Sequence, residues 1–329
     1  MSGNGAGTIL QVEDLHVDFP SFNGDVRALN GVNLHVNAGE IVGLVGESGS
    51  GKSVTAMMVM RLAETGSYAI PAGRISLLGK PVFDLDEAEL ERMRGRDVAM
   101  IFQEPMNALN PTKRIGHQIR EVIRKHNPMD KAAATATARE MLKAVRLADP
   151  DSIMRRFPFE LSGGMRQRVL IAITFSCRPK LIIADEPTTA LDVTVQHQVL
   201  TLLKDMAHRT GTAVLLITHD LAVVSQLCGR TYVMYAGEVV ESGPTSDIIS
   251  RPAHPYTRAL LQALPEYATR KQPIAFIGGT LPDLRHRPTG CVFATRCTLR
   301  EGRCDERPPA ARSGSREAFC WKPGFADAP

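Results

Sequence analysis

The stretch Gly46-Glu47-Ser48-Gly49-Ser50-Gly51-Lys52-Ser53 predicts a phosphate-binding loop between a strand and a helix. It follows the apolar run Ile41–Val45 and precedes a run of helical character at residues 54–62. Glycines at this spacing let successive backbone N–H groups turn toward one anion, and the helix that starts there adds the positive end of its dipole. Lys52 supplies a cation for the β- and γ-phosphates of a nucleotide, and Ser53 supplies a hydroxyl for Mg²⁺. A Gly/Ser-rich turn with an incidental lysine is the alternative, which the match at every fixed position disfavours.

Composition and length are those of an ordinary globular protein. The 329 residues are 43% hydrophobic and 22% charged, and the length suits roughly two domains. No apolar run approaches the roughly 20 residues that a membrane-spanning helix needs. The first basic residue is Arg27 and no apolar segment precedes it, so we expect no secretory signal. We therefore expect a cytosolic chain whose role at a membrane is peripheral.

Positive charge is concentrated near the C-terminus. The whole chain has a net charge of +4, but residues 251–329 carry a larger excess of Lys and Arg, and the preceding residues are slightly acidic. Such a tail could meet nucleic acid, anionic lipid or an anionic cofactor. The alternative is a solvated tail without a partner.

The alternation of apolar strands with helices predicts an α/β fold. Alternating apolar residues ahead of the phosphate loop predict an antiparallel hairpin. Downstream, apolar runs at 98–102, 181–186 and 213–218 alternate with helical segments, which is typical of a parallel sheet covered on both faces. From 106 to 159 the pattern is helical without a clear strand, and this indicates an inserted helical subdomain at about 88–165.

Two acidic residues end one of these apolar strands. Asp185 and Glu186 close the run at 181–186, where carboxylates are costly unless they bind something. Mg²⁺ on Asp185 would offset that cost, and Glu186 could then orient the water that attacks a phosphate. The alternative is a pair of acids at a helix start before Pro187, which the upstream phosphate loop disfavours.

Gln103 and His219 also end apolar strands. Gln103 could reach Mg²⁺ or the attacking water, and His219 could touch a γ-phosphate and report its presence. Either residue alone would more often be structural, so both assignments depend on the phosphate loop.

A second helix start with anion-binding character lies at Leu161-Ser162-Gly163-Gly164-Met165-Arg166-Gln167. Ser162 is suited to cap the helix, and the two glycines expose backbone N–H groups at its positive end. The chain therefore offers two phosphate-binding helix starts, although a single P-loop enzyme needs only one.

These segments together resemble the nucleotide-binding subunit of an ABC transporter. The matching set comprises 46–53, Gln103, 161–167, Asp185, Glu186, 190–192 and His219. The resemblance implies an ABC-type P-loop NTPase with a RecA-like core, an antiparallel β subdomain, an inserted helical subdomain and a small Cys-rich C-terminal extension.

The resemblance also implies a head-to-tail dimer. ATP would lie between the phosphate loop of one subunit and the 161–167 helix start of the other. The nucleotide site would then also include Val54, Ser162, Gly163, Gly164, Gln167 and Asp192. Phe19 would stack on adenine, with Phe22 as the competing choice.

More narrowly, the chain resembles the D-type ATPase subunit of dipeptide and oligopeptide importers. The segments that carry this resemblance are 46–55, 102–106, 178–196 and 254–257, and it continues through the C-terminal cysteines. It implies a nucleotide-binding domain at 8–250 and an importer-type extension at 251–329. Related members serve the uptake of nickel, glutathione or opines, so these substrates are alternatives to peptides.

Four cysteines cluster in that extension, at Cys291, Cys297, Cys304 and Cys320. In a chain expected in the cytosol, such a cluster favours a metal or iron–sulfur site over disulfides. The spacing is not that of a zinc ribbon. The resemblance implies a [4Fe–4S] cluster here, with structural zinc or unligated cysteines as alternatives. Neighbouring arginines, Arg296 among them, would offset the charge of the thiolates.

The expected function is an ATPase that couples ATP binding and hydrolysis to peptide uptake by a membrane importer. Expected partners are a second, paralogous ATPase subunit, two transmembrane permeases and, indirectly, an extracytoplasmic substrate-binding protein, with no nucleic acid. The subunit would lie on the cytoplasmic face of the inner membrane. One rival is a soluble ABC ATPase acting on nucleic acid or ribosomes, which usually needs tandem cassettes or coiled-coil insertions. Another is a non-ABC P-loop NTPase, which would not need the segment 161–167.

Overall fold

The computed structural model describes residues 7–103, 108–189, 191–264 and 276–326. The chain divides into two compact units, each built from separate stretches of sequence. The first contains Val36–Ile41 and Asp84–Leu215 with the described residues up to Ile9, and the second contains Leu10–His35, Val42–Phe83 and the described residues from Leu216 onward. The domain boundary expected at residue 250 stays a prediction. No helix in the described ranges is both long enough and apolar enough to cross a bilayer.

The described residues contain both strands and helices, as the apolar pattern predicts. The strands are β1 (Thr8–Phe19), β2 (Val26–Asn37), β3 (Ile41–Val45), β4 (Arg74–Leu77), β5 (Lys80–Pro81), β6 (Val98–Ile101), β7 (Leu181–Asp185), β8 (Ala213–Thr218), β9 (Arg230–Tyr235), β10 (Glu238–Pro244), β11 (Ala310–Ser313) and β12 (Arg316–Phe319). The α-helices are α1 (Lys52–Met60), α2 (Glu87–Met93), α3 (Ile115–His126), α4 (Lys131–Ala144), α5 (Pro150–Arg155), α6 (Gly163–Phe175), α7 (Val193–Thr210), α8 (Leu221–Leu227), α9 (Thr245–Ser250) and α10 (Pro255–Gln262). The α/β class is confirmed.

In the first unit, β6 and β7 form a parallel pair that carries polar residues at its C-terminal edge. Their register places Val98 opposite Leu181 and Ile101 opposite Ala184. Every residue of β7 is buried, as expected for a strand covered on both faces. Because parallel neighbours end at the same edge, the residues that follow the two strands lie close together.

The stretch between β6 and β7 is helical in its described residues, as predicted. Helix α3 packs against α4, α5 and α6. Its apolar side is fully buried at Ile115, Ile119 and Ile123. Asp130 accepts a hydrogen bond from the Ala133 N–H and so caps α4.

Two sheets contribute to the second unit. One has the strand order β2-β1-β4-β5, with β1 and β4 antiparallel and Leu10 opposite Leu77. In the other, β11, β12, β10, β9 and β3 lie side by side. β3 runs parallel to β9, with Val45 opposite Val233, and the other pairs within this set are antiparallel. This mixed sheet holds the strand that leads into the phosphate loop.

The C-terminal extension joins the mixed sheet through a hairpin that the sequence did not predict. β12 pairs with β10, with Ala318 opposite Glu241. Glu241 is fully buried, and the backbone N–H groups of Ala253 and His254 each donate to its carboxylate at 2.8 Å. Burial raises the pKa of Glu241. The extension therefore shares the core of this sheet, in keeping with a Pro- and Arg-rich segment that cannot build a core alone.

Candidate functional site

Strand β3 delivers the phosphate loop from a fully buried stretch. Two of the loop glycines are required by the backbone. A Cβ at Gly46 would lie 2.1 Å from the Met234 carbonyl oxygen. Gly51 precedes α1 with φ of 102°, a conformation that residues with side chains rarely adopt. Ser48 and Gly49 are exposed at the outer side of the loop, so an anion can approach the N-terminus of α1 there.

Lys52 folds back over the loop from the first turn of α1. Its ammonium donates to the carbonyl oxygens of Gly46 and Glu47 at 2.8 Å each and to the Ser50 hydroxyl at 3.4 Å. Lys52 is only 5% exposed, so water screens its charge weakly. Ser53, which follows in the same turn, is exposed. The loop therefore combines a buried cation with an accessible hydroxyl, and their contacts with phosphate and Mg²⁺ stay predictions.

Glu47 places a carboxylate inside this loop, and an arginine of the extension binds it. The Arg296 guanidinium donates to the two carboxylate oxygens at 2.7 and 3.0 Å. The Glu47 backbone N–H donates to the Tyr256 hydroxyl at 2.8 Å. Neither contact was predicted, because Arg296 was assigned only to charge balance at the cysteines. The sequence signal for this pair is the acidic residue within the phosphate loop, because a partly buried carboxylate there requires a cationic partner elsewhere in the chain.

In the first unit, the ends of β6 and β7 bring Gln103 and Glu186 together. The Gln103 amide donates to one Glu186 carboxylate oxygen at 3.1 Å, and the Thr189 hydroxyl donates to the same oxygen at 3.0 Å. Glu186 has φ of 45°, which is uncommon outside glycine and turns the chain directly after the strand. Asp185 is 6% exposed at the end of β7. This group of carboxylate and amide oxygens is chemically suited to a divalent cation and a water.

The second predicted helix start is the N-terminus of α6. The Ser162 hydroxyl accepts a hydrogen bond from the Met165 N–H at 3.4 Å and so caps the helix. The glycines that follow let α6 approach α7 closely. A Cβ at Gly164 would lie 2.6 Å from a methyl carbon of Val195.

A groove of about 600 Å³ opens beside this helix start. Ser162, Gly163 and Gly164 line it together with Arg146 and Arg168. The Arg146 guanidinium pairs with Asp205 at 2.8 Å. The helix N-terminus at this groove suits an anion.

Asp192 and Gln167 differ in their relation to this groove. Asp192 lines it and caps α7 by accepting a hydrogen bond from the Val195 N–H at 3.0 Å. Gln167 is fully buried, and its amide has no hydrogen-bond partner among the described residues. Gln167 is also absent from the groove lining, so its contact with nucleotide stays a prediction. Ala190, part of the same predicted set, lies outside the described residues.

His219 follows β8 directly in the second unit and is exposed. Its neighbour Asp220 caps α8 by accepting hydrogen bonds from the Ala222 N–H at 2.8 Å and the Val223 N–H at 3.3 Å. The cap orients the chain at His219, and the contact of this imidazole with a γ-phosphate stays a prediction.

Phe19 and Phe22 flank the end of β1. Phe19 is half-buried, with its ring 6.4 Å from the ring of Tyr68, whereas Phe22 is fully exposed. Stacking of Phe19 on adenine stays a prediction, with Phe22 as the competing residue.

The four cysteines of the extension line one cavity together with His254 and Phe293. Burial raises the pKa of Cys291 to about 11. Burial also raises the pKa values of two further thiols, Cys297 and Cys320. The four cysteines, which lie close together in the sequence, therefore also line a single cavity in the fold.

The spacing of these thiols does not fit a single metal ion. No three His, Cys, Asp or Glu side chains in the described residues lie close enough together to hold one. Four thiolates on one Zn²⁺ would need sulfur atoms about 3.8 Å apart, because each Zn–S bond is about 2.3 Å long. The geometry therefore gives no support to structural zinc. The four thiols share one cavity, and a [4Fe–4S] cluster in it stays a prediction.

Comparison with known families and proteins covers most of the chain. The family model described as ABC transporter matches residues 29–189, and the model described as oligopeptide/dipeptide transporter, C-terminal region, matches residues 240–304. The probable D,D-dipeptide transport ATP-binding protein DdpD of Escherichia coli K12 is 57% identical, across 96% of this chain and 97% of that protein. The oligopeptide transport ATP-binding protein OppD of Salmonella typhimurium LT2 is 44% identical, across 97% of this chain and 95% of that protein.

Solved structures share the fold. A dimeric ATP-binding cassette in a post-hydrolysis state with ADP and phosphate matches with a TM-score of 0.64 and 27% identity, covering 72% of this chain and 99% of that one. The protein cbiO1 of Clostridium perfringens, part of the ABC transporter complex cbiONQ, has a TM-score of 0.64 and 25% identity, covering 74% of this chain and 90% of that one. These similarities agree with the α/β cassette described above.

Proposed function

The chain belongs to the ATP-binding subunits of ABC transporters, and from that premise we propose that it hydrolyses ATP to drive uptake of dipeptides or oligopeptides through a membrane importer. One observation carries the proposal: the chain holds both a phosphate loop with a buried lysine and a second, serine-capped helix start beside a groove. Relatives at 44–57% identity named for dipeptide or oligopeptide transport support the peptide substrate. The family match at 240–304 supports the same branch.

In this proposal the loop and Val54 bind the triphosphate. Backbone N–H groups and the α1 dipole attract the phosphate oxygens, and Lys52 neutralises charge on the β- and γ-phosphates. Asp185, Gln103 and Ser53 would hold Mg²⁺, which neutralises charge that develops on the phosphate oxygens.

Glu186 would polarise the water that attacks the γ-phosphate. Hydrogen bonds from Gln103 and Thr189 to one carboxylate oxygen orient this side chain. His219 would contact the γ-phosphate and so distinguish ATP from ADP.

The helix start at Ser162 suggests a second subunit. Ser162, Gly163 and Gly164 would cap the triphosphate held by the partner's loop, so that ATP closes a head-to-tail dimer. We assign the partner as a paralogous ATPase. The helical subdomain at residues 88–165 would transmit the closing of the dimer to two permeases. These permeases receive the transported substrate from an extracytoplasmic binding protein. The subunit would then lie on the cytoplasmic face of the inner membrane.

The cysteine cavity would hold a [4Fe–4S] cluster with a structural role, since the four thiols surround one apolar space. We predict that Cys297→Ser lowers the iron content of the purified protein and its visible absorbance. Cys177→Ser, at a half-buried thiol outside this cavity, serves as the control and should keep full iron. Full iron content in Cys297→Ser would contradict the assignment.

Reconstitution tests the transport proposal. The chain, its partner ATPase and the permeases in vesicles with ATP should take up a labelled dipeptide, and Lys52→Ala should abolish the uptake. Nickel, glutathione and an opine are the competing substrates, and selective uptake of one of these would replace the peptide assignment. Equal transport by Lys52→Ala would contradict the ATPase role itself.

A further inference from the structure

A phosphate loop that contains a carboxylate poses an electrostatic problem. Glu47 lies between Gly46 and Ser48, and its side chain is 28% exposed, so water screens its charge only in part. An uncompensated negative charge beside bound phosphates would repel them. The Lys52 ammonium donates to the carbonyl oxygens of Gly46 and Glu47, and a second cation binds the Glu47 carboxylate itself.

Arg296 supplies this cation from the C-terminal extension. Besides its two bonds to Glu47, its guanidinium donates to the backbone carbonyl oxygens of Gly278 at 2.8 Å and Ile277 at 3.0 Å. It also lies 5.7 Å from the centre of the Tyr235 ring, and its side chain is only 5% exposed. An arginine with a bidentate carboxylate contact and these further partners is held in one orientation.

The backbone at Glu47 is fixed by the same part of the chain. The Tyr256 hydroxyl, which accepts the Glu47 N–H, belongs to a fully buried side chain. The Tyr256 ring packs against Tyr235 at 4.6 Å and Phe293 at 5.3 Å between ring centres. Two residues beyond position 250 therefore control both the charge and the orientation of this loop position.

We propose that Arg296 neutralises Glu47 and thereby sets the affinity of the phosphate loop for ATP, which makes the C-terminal extension part of the nucleotide site. This inference rests on the proposed function, because ATP is the ligand concerned. Arg296 contacts no reacting atom in this assignment, so it acts as a positioning residue.

Arg296 also couples the cysteine cavity to the loop. It ends the 3-10 turn Ala294–Arg296, which lies between Cys291 and Cys297. The Ala294 N–H donates to the Cys291 carbonyl oxygen at 3.0 Å, and the Cys297 N–H donates to the Ala294 carbonyl oxygen at 3.3 Å. A change that displaces these thiols therefore displaces the guanidinium that holds Glu47.

The test measures the dissociation constant of MgATP for the full chain by isothermal titration. Arg296→Met keeps a long apolar side chain but removes the charge, and it should weaken ATP binding about tenfold, since a partly buried carboxylate loses its partner. Adding Glu47→Gln to that variant should restore the affinity to within about twofold of the wild type, because the repulsive charge is then gone. KM for ATP should follow the dissociation constant, and kcat at saturating ATP should change little.

Glu47→Gln alone gives a prediction that does not depend on the folding of Arg296→Met. It should bind ATP at least as tightly as the wild type, since it removes negative charge and keeps Arg296. Arg312→Met, at an exposed arginine paired with Glu317, is the matched control and should bind like the wild type.

Wild-type affinity in Arg296→Met, failure of Glu47→Gln to restore binding in the double variant, or weaker binding by Glu47→Gln alone would each overturn the inference. Failure of the double variant would mean that Arg296 acts by holding the fold. A wild-type chain that binds no ATP would instead defeat the proposed function, so the two failures are distinguishable.

Discussion

At Glu186, a rare backbone conformation accompanies a side chain that is held by two hydrogen bonds. The positive φ of this residue directs the chain away from β7, and Gln103 and Thr189 then bond to one oxygen of its carboxylate. A residue in a rare backbone conformation persists where its surroundings hold it, and such residues cluster at functional sites. The role of Glu186 as general base stays a prediction.

Glu186→Gln should separate ATP binding from ATP turnover. The amide keeps the shape and one acceptor oxygen but cannot take a proton, so steady-state hydrolysis should fall at least about 100-fold. The affinity for MgATP should stay within about threefold, because the phosphate loop is unchanged. Glu121→Gln, on an exposed face where it pairs with Lys113, is the control and should hydrolyse normally. Unimpaired hydrolysis by Glu186→Gln would remove it from the catalytic role.

The predictability of these residues follows from how each is positioned. Gln103 and Glu186 can be placed together from sequence because each follows an apolar strand, and parallel neighbouring strands end at one edge. The pair formed by Arg296 and Glu47 spans 249 positions, and no strand or helix period connects its members. Such a contact depends on tertiary packing, so composition and spacing alone do not reveal it.

Helix α10 begins at a buried histidine. His254 is 1% exposed, and its Nδ1 accepts a hydrogen bond from the Tyr256 N–H at 3.1 Å. Burial lowers the pKa of His254 to about 3, because the imidazolium would lose its hydration. The neutral ring is therefore part of the helix cap that positions Tyr256 beneath the phosphate loop.

This cap predicts a pH dependence of stability. Between pH 6.5 and 3 an unfolded histidine binds a proton that folded His254 does not, so stability is fully present above pH 6.5 and declines as the pH falls. His254→Asn keeps an acceptor without titrating. Between pH 6.5 and 5 the free energy of unfolding should fall in both proteins, and the fall should be about 2 kcal/mol smaller in His254→Asn than in the wild type.

Urea titrations at the two pH values measure this difference. His208→Asn, at an exposed histidine near the end of α7, should keep the wild-type pH dependence. Identical pH dependence in His254→Asn and the wild type would show that His254 is not a buried neutral cap.

The close contact between α6 and α7 predicts that a larger residue at position 164 lowers stability. Because a Cβ at Gly164 would approach Val195 to 2.6 Å, Gly164→Ala must push the two helices apart or shift Val195. We expect a loss of about 1–3 kcal/mol in the free energy of unfolding. Gly302→Ala, where nothing lies within 4 Å, is the control. Equal unfolding midpoints for the two variants would contradict the close approach.

Elements differ in how far the sequence specifies them. Periodic apolar helices such as α3, with buried Ile115, Ile119 and Ile123, are evident from pattern. β11 and β12 are four residues each and rich in arginine and alanine, so no alternation identifies them. They form because β10 offers an edge on which β12 can pair, and that edge exists only in the folded unit.

For the whole molecule, the positive charge of the extension has a structural use. Arg287 pairs with Glu238 and Arg296 pairs with Glu47, all within the second unit. These two guanidinium groups are therefore committed to internal carboxylates. The dimer, by contrast, could be predicted only from the family resemblance. When two chains share one site, each sequence shows a helix start suited to an anion but does not show which chain supplies the ligand.

In the proposed mechanism, one triphosphate is held by two chains. Its most direct test is a structure of the Glu186→Gln variant with MgATP and its partner ATPase, trapped in the closed state. We predict that the phosphates contact Lys52 and the loop amides of one subunit and the equivalent of Ser162 and Gly163 in the other. A nucleotide that contacts the phosphate loop alone, with both Ser162 helix starts far away, would contradict the account.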